Sequence, residues 1–302
     1  MCDFNNINSD ELNSDELNSE STNVNLIGQI LNGKEFKNIF GDIFYKVLNK
    51  NLIHWDYKYI DGLNICPQTF NPSGQCSPGG LYFTMLKCMP MWVNYKSAYI
   101  VRVQILDDSI VYIENNKFKT DKFQIDLSTK CSISKFEYLT DDKFRKLAIE
   151  QNYLFLNYIR NQTPELCELA VKNDPFALKH IRNQTFELCE FAVKKDPLVL
   201  KYIRNQTSEL CEFAVKNNPL VLKFVRNQTP KICELAVEND PFALKYVHNQ
   251  TPEICELAVR SNGFALKFVR NQTSNICKLA VKTNNWALRY IRDKKNKLLV
   301  IN

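Results

Sequence analysis

Residues 161–182 read NQTPELCELAVKNDPFALKHIR, and this unit returns without a gap through the second half of the chain. Its opening triplet, Asn-Gln-Thr, begins at Asn161, Asn183, Asn205, Asn227, Asn249 and Asn271. Self-similarity at one fixed period is typical of a solenoid, in which every repeat packs against its neighbours. The period therefore predicts a stacked repeat architecture for this half of the chain.

Each unit contains two start signals for a helix. Thr163 is a favourable N-cap, and Pro164 occupies the first helical position, where a missing N–H is tolerated. Asp174-Pro175 repeats this signal, so the first helix must end near Asn173. Both helices are too short to be stable alone in water, so each depends on its neighbours. We predict an all-α solenoid of 22-residue helix pairs.

The same period extends upstream of the first complete unit. An offset of one period places Ala148 under Ala170, which reveals a degenerate unit of the kind that caps a repeat array. The pattern ends after residue 292. We therefore predict seven helical repeats across residues 139–292 and a C-terminal tail at 293–302.

The N-terminal part of the chain has a different character. We predict a disordered acidic tail at residues 1–35, because its first two dozen residues are polar, acidic and repetitive. Residues 36–138 contain short β-branched or aromatic segments between turn residues, which predicts a β-rich domain. These segments are 44–48, 80–85, 98–105, 110–113 and 123–127. The predicted fold class is α+β in two domains, a small β-rich domain followed by the solenoid.

Composition restricts the kind of protein. The formal net charge is +6, and the apolar fraction of 45% is ordinary for a globular chain. No apolar run is long enough to span a bilayer, and the N-terminus is acidic where a signal peptide would be basic and then apolar. We expect an intracellular protein without membrane association.

The chain has 11 cysteines, but their spacing does not favour disulfides or zinc. The repeat cysteines fall on the apolar face of the first helix, where a thiol behaves as a small hydrophobe. Stacked helices lie roughly 9–10 Å apart, beyond the reach of a disulfide. The other cysteines form no Cys-x-x-Cys pair and no cluster with histidine. We predict no metal site and no cofactor.

The Asn-Gln-Thr triplets also match the glycosylation acceptor pattern. A structural interpretation fits better, since threonine caps the next helix and Asn161 follows the second helix, where asparagine substitutes for glycine in the left-handed conformation. We expect these asparagines to be unmodified and to adopt a positive φ.

Two rows of cations recur on the second helix of the unit. The lysine row is Lys179, Lys201, Lys223, Lys245 and Lys267, continued by Arg289. The arginine row is Arg160, Arg182, Arg204, Arg226, Arg270 and Arg292, interrupted by His248. Because three residues separate the rows, they share a helix face.

We predict that this face binds an acidic protein segment, the usual role of an extended solenoid surface. The partner-binding residues would be Lys179, Arg182, Lys201, Arg204, Lys223, Arg226, Lys245, Lys267 and Arg270. A purely structural alternative is that these cations complement helix dipoles and pair with glutamates of neighbouring repeats. Nucleic acid is a less favoured partner, because the aromatic residues of the second helix are expected on its core side and not beside the cations.

Certain stretches resemble giant-virus proteins. GQCSPGGLYFT at 74–84, DDSIVYIE at 107–114 and KFKTDK at 117–122 resemble the N-terminal domain of Mimivirus-type proteins, many of which continue into ankyrin repeats. NQTPEICELAV at 249–259 is similar to a short helical repeat of unknown function from the same viruses. The resemblance implies action in the cytoplasm of an infected host cell, and it brings no settled activity or catalytic residues.

We therefore expect a non-enzymatic protein-interaction scaffold of a giant virus that binds its partner through the helical-repeat surface. The alternative is an enzyme or ligand-binding module within residues 36–138, with the solenoid as a targeting arm. The residue types that such a module could use are His54, Cys76, Tyr82 and Glu114. No triad order, paired-carboxylate spacing or metal motif connects them, so no catalytic residue is assigned.

Overall fold

The computed structural model describes residues 26–54, 56–72, 77–94, 96–293 and 297. Its contacts divide the chain into two compact units, Met1–Leu169 and Ala170–Asn302. Most of the predicted acidic tail, nearly all of the predicted C-terminal tail and the loop residues 73–76 lie outside the described residues. The boundary at 138/139 stays a prediction.

Antiparallel strands build most of the first unit. They are β1 (Ile30–Asn32), β2 (Phe44–Asn49), β3 (Ile53–His54), β4 (Tyr57–Lys58), β5 (Gly62–Ile65), β6 (Leu81–Phe83), β7 (Ser97–Gln104), β8 (Ile110–Glu114), β9 (Lys117–Thr120), β10 (Lys122–Ile125) and β11 (Cys131–Ser132). One sheet has the order β1-β8-β9-β6. In the other, β2 lies on one side of β7, while β10 and β11 lie on its other side and β5 pairs with β10. The β-rich N-terminal region is thus confirmed.

Part of the stretch assigned to the tail belongs to this fold. The helix Gly33–Phe40 follows β1, and Asn32 caps it by accepting a hydrogen bond from the backbone N–H of Glu35 at 2.9 Å. The Glu35 side chain accepts from the N–H of Asn32, which completes a capping box. Phe36 is fully buried. The tail prediction rested on the composition of the first residues and overlooked this capping signal.

Phenylalanine rings form the core of the first unit. The Phe36 ring lies 4.7 Å from Phe118 and 5.1 Å from Phe44, and the Phe44 ring lies 5.3 Å from Phe83. These rings come from the helix and from both sheets, so one cluster holds the layers together. Short 3-10 segments follow at Leu86–Trp92, Leu127–Thr129, Ile133–Lys135 and Glu137–Thr140.

The repeats predicted from the period are confirmed, and they follow one another at a regular spacing. Each begins with an α-helix of ten residues: Asp142–Gln151, Pro164–Asn173, Phe186–Lys195, Ser208–Asn217, Pro230–Asn239, Pro252–Ser261 and Ser274–Thr283. The second element is a 3-10 helix in every repeat: Tyr153–Asn157, Pro175–His180, Pro197–Tyr202, Pro219–Phe224, Pro241–Tyr246, Gly263–Phe268 and Asn285–Tyr290.

Side-chain caps begin both elements. Thr185 accepts from the N–H of Leu188 at 3.3 Å, and Asp174 accepts from the N–H of Phe176 at 2.7 Å. The threonine caps were predicted. The expected left-handed asparagine is wrong, since among the described residues only Leu52 and Asn116 have a positive φ apart from glycine. The chain instead leaves the 3-10 helix through an extended residue, such as Ile181, so no left-handed position is required.

The repeat cysteines are free and buried, as the spacing predicted. They are Cys167, Cys189, Cys211, Cys233, Cys255 and Cys277. Burial raises the pKa of Cys189, Cys211 and Cys255 to about 11, so these thiols remain protonated at neutral pH. In the part of the chain that the structure describes, no helix is both long and apolar enough to cross a membrane.

Candidate interaction surface

All nine predicted partner-binding residues are exposed, but the structure gives the two rows different roles. The lysines project from the 3-10 helices, and the arginines follow the end of each 3-10 helix. As a result, the lysine amines lie over aromatic rings, while most of the arginine guanidinium groups donate to backbone carbonyls.

The arginine row links consecutive repeats. Arg226 donates from Nη1 to the carbonyl of Arg204 at 2.5 Å, and Arg204 donates in the same way to the carbonyl of Arg182. Arg270 donates to the carbonyls of His248 at 2.6 Å and Val247 at 2.9 Å. These carbonyls lie just past the ends of 3-10 helices, where backbone acceptors lack partners within the helix. The structural alternative for the arginines therefore has direct support, although carbonyls rather than glutamates accept.

The lysine row lies beside aromatic side chains. The Nζ atom of Lys201 is 4.6 Å from the ring centre of Tyr202 and 5.5 Å from that of Phe176. Lys223 lies 4.8 Å from the centre of the Phe224 ring. In the same way, Lys179 lies over Tyr202, Lys245 over Tyr246 and Lys267 over Phe268. Cations at these distances are attracted to the face of the ring. In the described part of the chain, no carboxylate lies within salt-bridge distance of Lys179, Lys201, Lys223, Lys245 or Lys267.

This arrangement corrects one premise of the sequence analysis. The aromatic residues after each lysine were expected on the core side of the second helix, away from the cations. Tyr202, Phe224, Tyr246 and Phe268 are instead half-buried and contact the lysines. The reason is that a 3-10 helix has about three residues per turn, so adjacent residues project at different angles from those on an α-helix.

Apolar side chains continue the same face. The second residue of each 3-10 helix in the repeats is partly or largely exposed, including Leu198, Leu220, Phe242 and Trp286. Where both positions are aromatic, the rings meet edge to face across repeats, as Phe242 and Phe268 do at 5.9 Å. We name the lysine row together with these rings and apolar residues the lysine-aromatic face. It combines positive charge with accessible apolar area.

The glutamine of the Asn-Gln-Thr triplet has a role that the sequence analysis missed. Gln206 donates from Nε2 to the carbonyls of Leu200 and Phe224, both at 2.9 Å, and its Oε1 accepts from the N–H of Arg226 at 2.9 Å. Leu200 lies in the 3-10 helix before Gln206, whereas Phe224 ends the next 3-10 helix along the chain and Arg226 follows it. The same three bonds recur at Gln184, Gln228, Gln250 and Gln272. The signal was the invariance of glutamine among the repeats of this chain.

Glutamates of the ten-residue helices form ion pairs with lysines outside the lysine row. Lys194 pairs with Glu190 at 2.7 Å along one helix, and Lys231 pairs with Glu212 of the preceding repeat at 2.6 Å. The cations in these pairs belong to the α-helices and not to the lysine row. The lysine-aromatic face therefore keeps its positive charge.

The candidate catalytic or ligand-binding residues of the β-rich region that the structure describes do not all line one cavity. His54 and Tyr82 line one cavity, whereas Glu114 is buried beside Lys117, with 3.2 Å between Oε2 and Nζ. Cys76 lies outside the described residues. Within the described ranges, no three His, Cys, Asp or Glu side chains cluster closely enough to hold a metal ion.

The fold and this face define a helical-repeat protein, and comparisons with known proteins agree. The model of a family described as "Domain of unknown function (DUF4116)" matches residues 229–273, which contain two consecutive repeats. The chain is also distantly similar to "Putative ankyrin repeat protein R868" of Acanthamoeba polyphaga mimivirus, with 36% identity over 61 residues. This match covers 20% of the chain and 30% of that relative's length. No solved structure matches. The resemblance to giant-virus repeat proteins is confirmed.

Proposed function

We propose that this chain is a non-enzymatic protein-interaction scaffold of a giant virus. Its lysine-aromatic face binds an acidic protein segment that also carries apolar side chains, in the cytoplasm of the host cell. The observation that supports this proposal is the row of exposed lysines that lie on aromatic rings without a carboxylate partner in the described part of the chain. Positive charge that the fold does not neutralise is available to a negatively charged partner.

The repetition of the face indicates the pattern of the partner. Equivalent positions of packed helices lie roughly 10 Å apart. A segment in the polyproline II conformation has three residues per turn and rises roughly 3.1 Å per residue, so acids at every third position would share one face and keep pace with the lysine row. Apolar residues between the acids would contact the exposed side chains at Leu198, Leu220 and Phe242. Such a segment would bind through both charge and apolar contact, and added salt would weaken it only in part.

Two charge reversals test this proposal on the intact chain. The probe is a synthetic peptide with glutamate at every third position and leucine or phenylalanine between, and its affinity is measured by calorimetry. We expect Lys201→Glu with Lys223→Glu to weaken binding at least about tenfold, because both changes replace attraction by repulsion. The matched control, Lys216→Glu with Lys282→Glu, changes the net charge equally on the α-helices and should retain the affinity.

Two outcomes would contradict the proposal. One is equal loss of affinity in the test and control variants, which would mean that only the net charge matters. The other is preferential binding of a single-stranded oligonucleotide over the peptide at matched salt, since bases could stack on the same rings. Circular dichroism of each variant separates loss of binding from loss of the fold.

A further inference from the structure

The β-rich unit contains a cavity of about 400 Å³, a size within the range of small-molecule sites. It lies beside β2 and β6 and is bordered by the residues that lead into β7. Its polar lining includes Lys46, His54, Tyr82, Lys96 and Lys117. Among the described residues, the lining contains three lysines and no aspartate or glutamate.

Lys46 is the most unusual of these side chains. It is 4% exposed, its Nζ donates to the carbonyl of Tyr82 at 2.6 Å, and it lies 4.5 Å from the centre of the Tyr59 ring. No carboxylate of the described residues lies within salt-bridge distance of it. Burial lowers the pKa of Lys46 to about 7. A buried amine without a counter-ion is costly to retain, so its position calls for a partner.

Lys117 adds a second buried cation to the cavity. Its Nζ lies 4.4 Å from the centre of the Tyr82 ring and 4.9 Å from that of Trp92. Glu114 compensates part of its charge from outside the lining, at 3.2 Å. Lys117 therefore has one carboxylate neighbour, whereas Lys46 has none in the described part of the chain.

The pKa of His54 indicates that the positive charges of Lys46 and Lys117 act on the same part of the cavity. His54 is exposed at the edge of the cavity, yet the surrounding protein and then the positive charges of Lys46 and Lys117 lower its pKa to about 4. Its imidazole is consequently neutral near pH 7 and can exchange hydrogen bonds without adding charge. The side chains of Thr84 and Ser97 supply hydroxyl groups on the same lining.

A structural role alone does not account for Lys46. Its single hydrogen bond satisfies one backbone carbonyl, and a methionine would fill a similar volume without the desolvation of an amine. The exposed rim lysine, Lys96, makes the whole lining positive. This combination is typical of a site that receives a doubly negative group, to which several amines donate together.

We propose that this cavity binds a small phosphate-bearing ligand. Its phosphate group lies against the amines of Lys46 and Lys117, with Lys96 at the rim. The remainder of the ligand lies against the partly exposed side chains of Val47 and Ile53. A dianionic phosphate suits two buried amines better than a single carboxylate does, because it supplies both negative charges from one group. This site is independent of the lysine-aromatic face.

Calorimetry with the full chain tests this proposal. The probes are inorganic phosphate, adenosine monophosphate and uncharged adenosine, which distinguish the free anion from a phosphorylated metabolite. We expect saturable binding of at least one phosphate compound, no binding of adenosine, and at least a tenfold loss of affinity in Lys46→Met. Lys58→Met removes an exposed lysine of the same unit outside the cavity and should leave the affinity unchanged.

A second readout follows the amine itself. In NMR of lysine labelled at Cε, saturating phosphate compound should raise the pKa of Lys46, because a nearby anion favours the charged form. If Lys46→Met fails to fold, Lys96→Met at the rim should still weaken binding severalfold. The proposal is overturned if no phosphate compound binds at millimolar concentration, or if folded Lys46→Met binds as the unmodified chain does. Lys201→Glu with Lys223→Glu should have no effect here, which separates the two proposals.

Discussion

The two units treat buried polar groups in opposite ways. In the repeats, Gln206 is partly buried and makes three hydrogen bonds to backbone groups, so its amide is used at both ends. In the β-rich unit, Lys46 is buried with one hydrogen bond and no carboxylate neighbour among the described residues. A neutral amide whose bonds are all made stabilises a structure, whereas an uncompensated amine destabilises it and is available to a ligand. Gln206 therefore stabilises the repeats, whereas Lys46 is the group that we propose binds a ligand.

The largest expected effect is loss of a glutamine. Gln206→Leu leaves the carbonyl of Phe224 and the N–H of Arg226 without this partner, while the carbonyl of Leu200 keeps only its bond from the N–H of Ile203. We expect the free energy of unfolding to fall by about 2–4 kcal/mol, since unpaired backbone groups cost about 1–3 kcal/mol each when water does not replace the bond. Urea unfolding measures the change. Asn205→Ala, at the exposed neighbouring position, is the control, and an equal loss there would contradict the glutamine's role.

A steric change should follow in size. Ala214 is fully buried where the α-helix packs within the repeats. Ala214→Leu inserts three carbon atoms into a filled space, and we expect a loss of about 1–3 kcal/mol. Thermal unfolding checks this, with Ala214→Gly as the opposite change in volume. No loss with leucine would indicate that this interface holds unfilled space.

Lys46→Met should raise the free energy of unfolding, whereas the two preceding substitutions lower it. The pKa of Lys46 is about 7 in the folded protein and near its ordinary value of 10.5 in the unfolded chain. Between these values the unfolded chain binds more protons, so the stability of the unmodified protein rises as pH increases from 7 toward 10.5. Lys46→Met removes this dependence and should be more stable near pH 7 by at least about 1 kcal/mol.

Urea unfolding near pH 7 and pH 9 measures this difference. Placing the change in a Trp286→Phe background leaves tryptophans only in the first unit, so fluorescence reports on that unit. Lys58→Met is the matched control. If Lys46→Met had the same pH dependence of stability as the unmodified protein, the Lys46 amine would be readily charged in the folded state.

The smallest expected effect distinguishes the two rows of cations. Arg226→Gln loses the bond to the carbonyl of Arg204 and should cost about 0.5–1.5 kcal/mol, because this carbonyl is partly reachable by water. Lys223→Gln removes only the contacts of an exposed amine with the Phe224 and Tyr246 rings, so its cost should not exceed about 0.5–1 kcal/mol. Peptide binding should show the reverse order. Equal effects of both changes in both assays would remove the distinction.

Local signals allowed much of the fold to be predicted. The caps at Thr163 and Asp174 depend on neighbours in the sequence, and strands β2, β7 and β8 have long apolar or aromatic runs. Strands β1, β3, β4, β5, β9 and β11 were missed. The Lys117–Thr120 segment of β9 carries two lysines yet is buried, which alternation of apolar and polar residues cannot reveal.

The sequence revealed the two rows of cations but not their contacts, and their role in binding stays a prediction. The rows of cations could be found because they repeat, and the structure places them on exposed positions. The different contacts of the two rows could not be predicted from the sequence. The partner of Arg226 is a carbonyl of the preceding repeat, which is available only because the 3-10 helix has ended before it. The bonds of Gln206 to Phe224 and Arg226 join residues 18 and 20 positions apart, so no local pattern indicates them.

The glutamine bonds also bear on how such a chain can change its length. Each glutamine holds the next 3-10 helix along the chain through backbone atoms, and backbone atoms are the same in every copy. A recombination event that inserts or deletes one full period, at whatever point in the period it occurs, therefore restores the same junction on both sides. Arrays of this kind can grow or shrink by whole units within one generation, while each copy's exposed residues remain free to diverge.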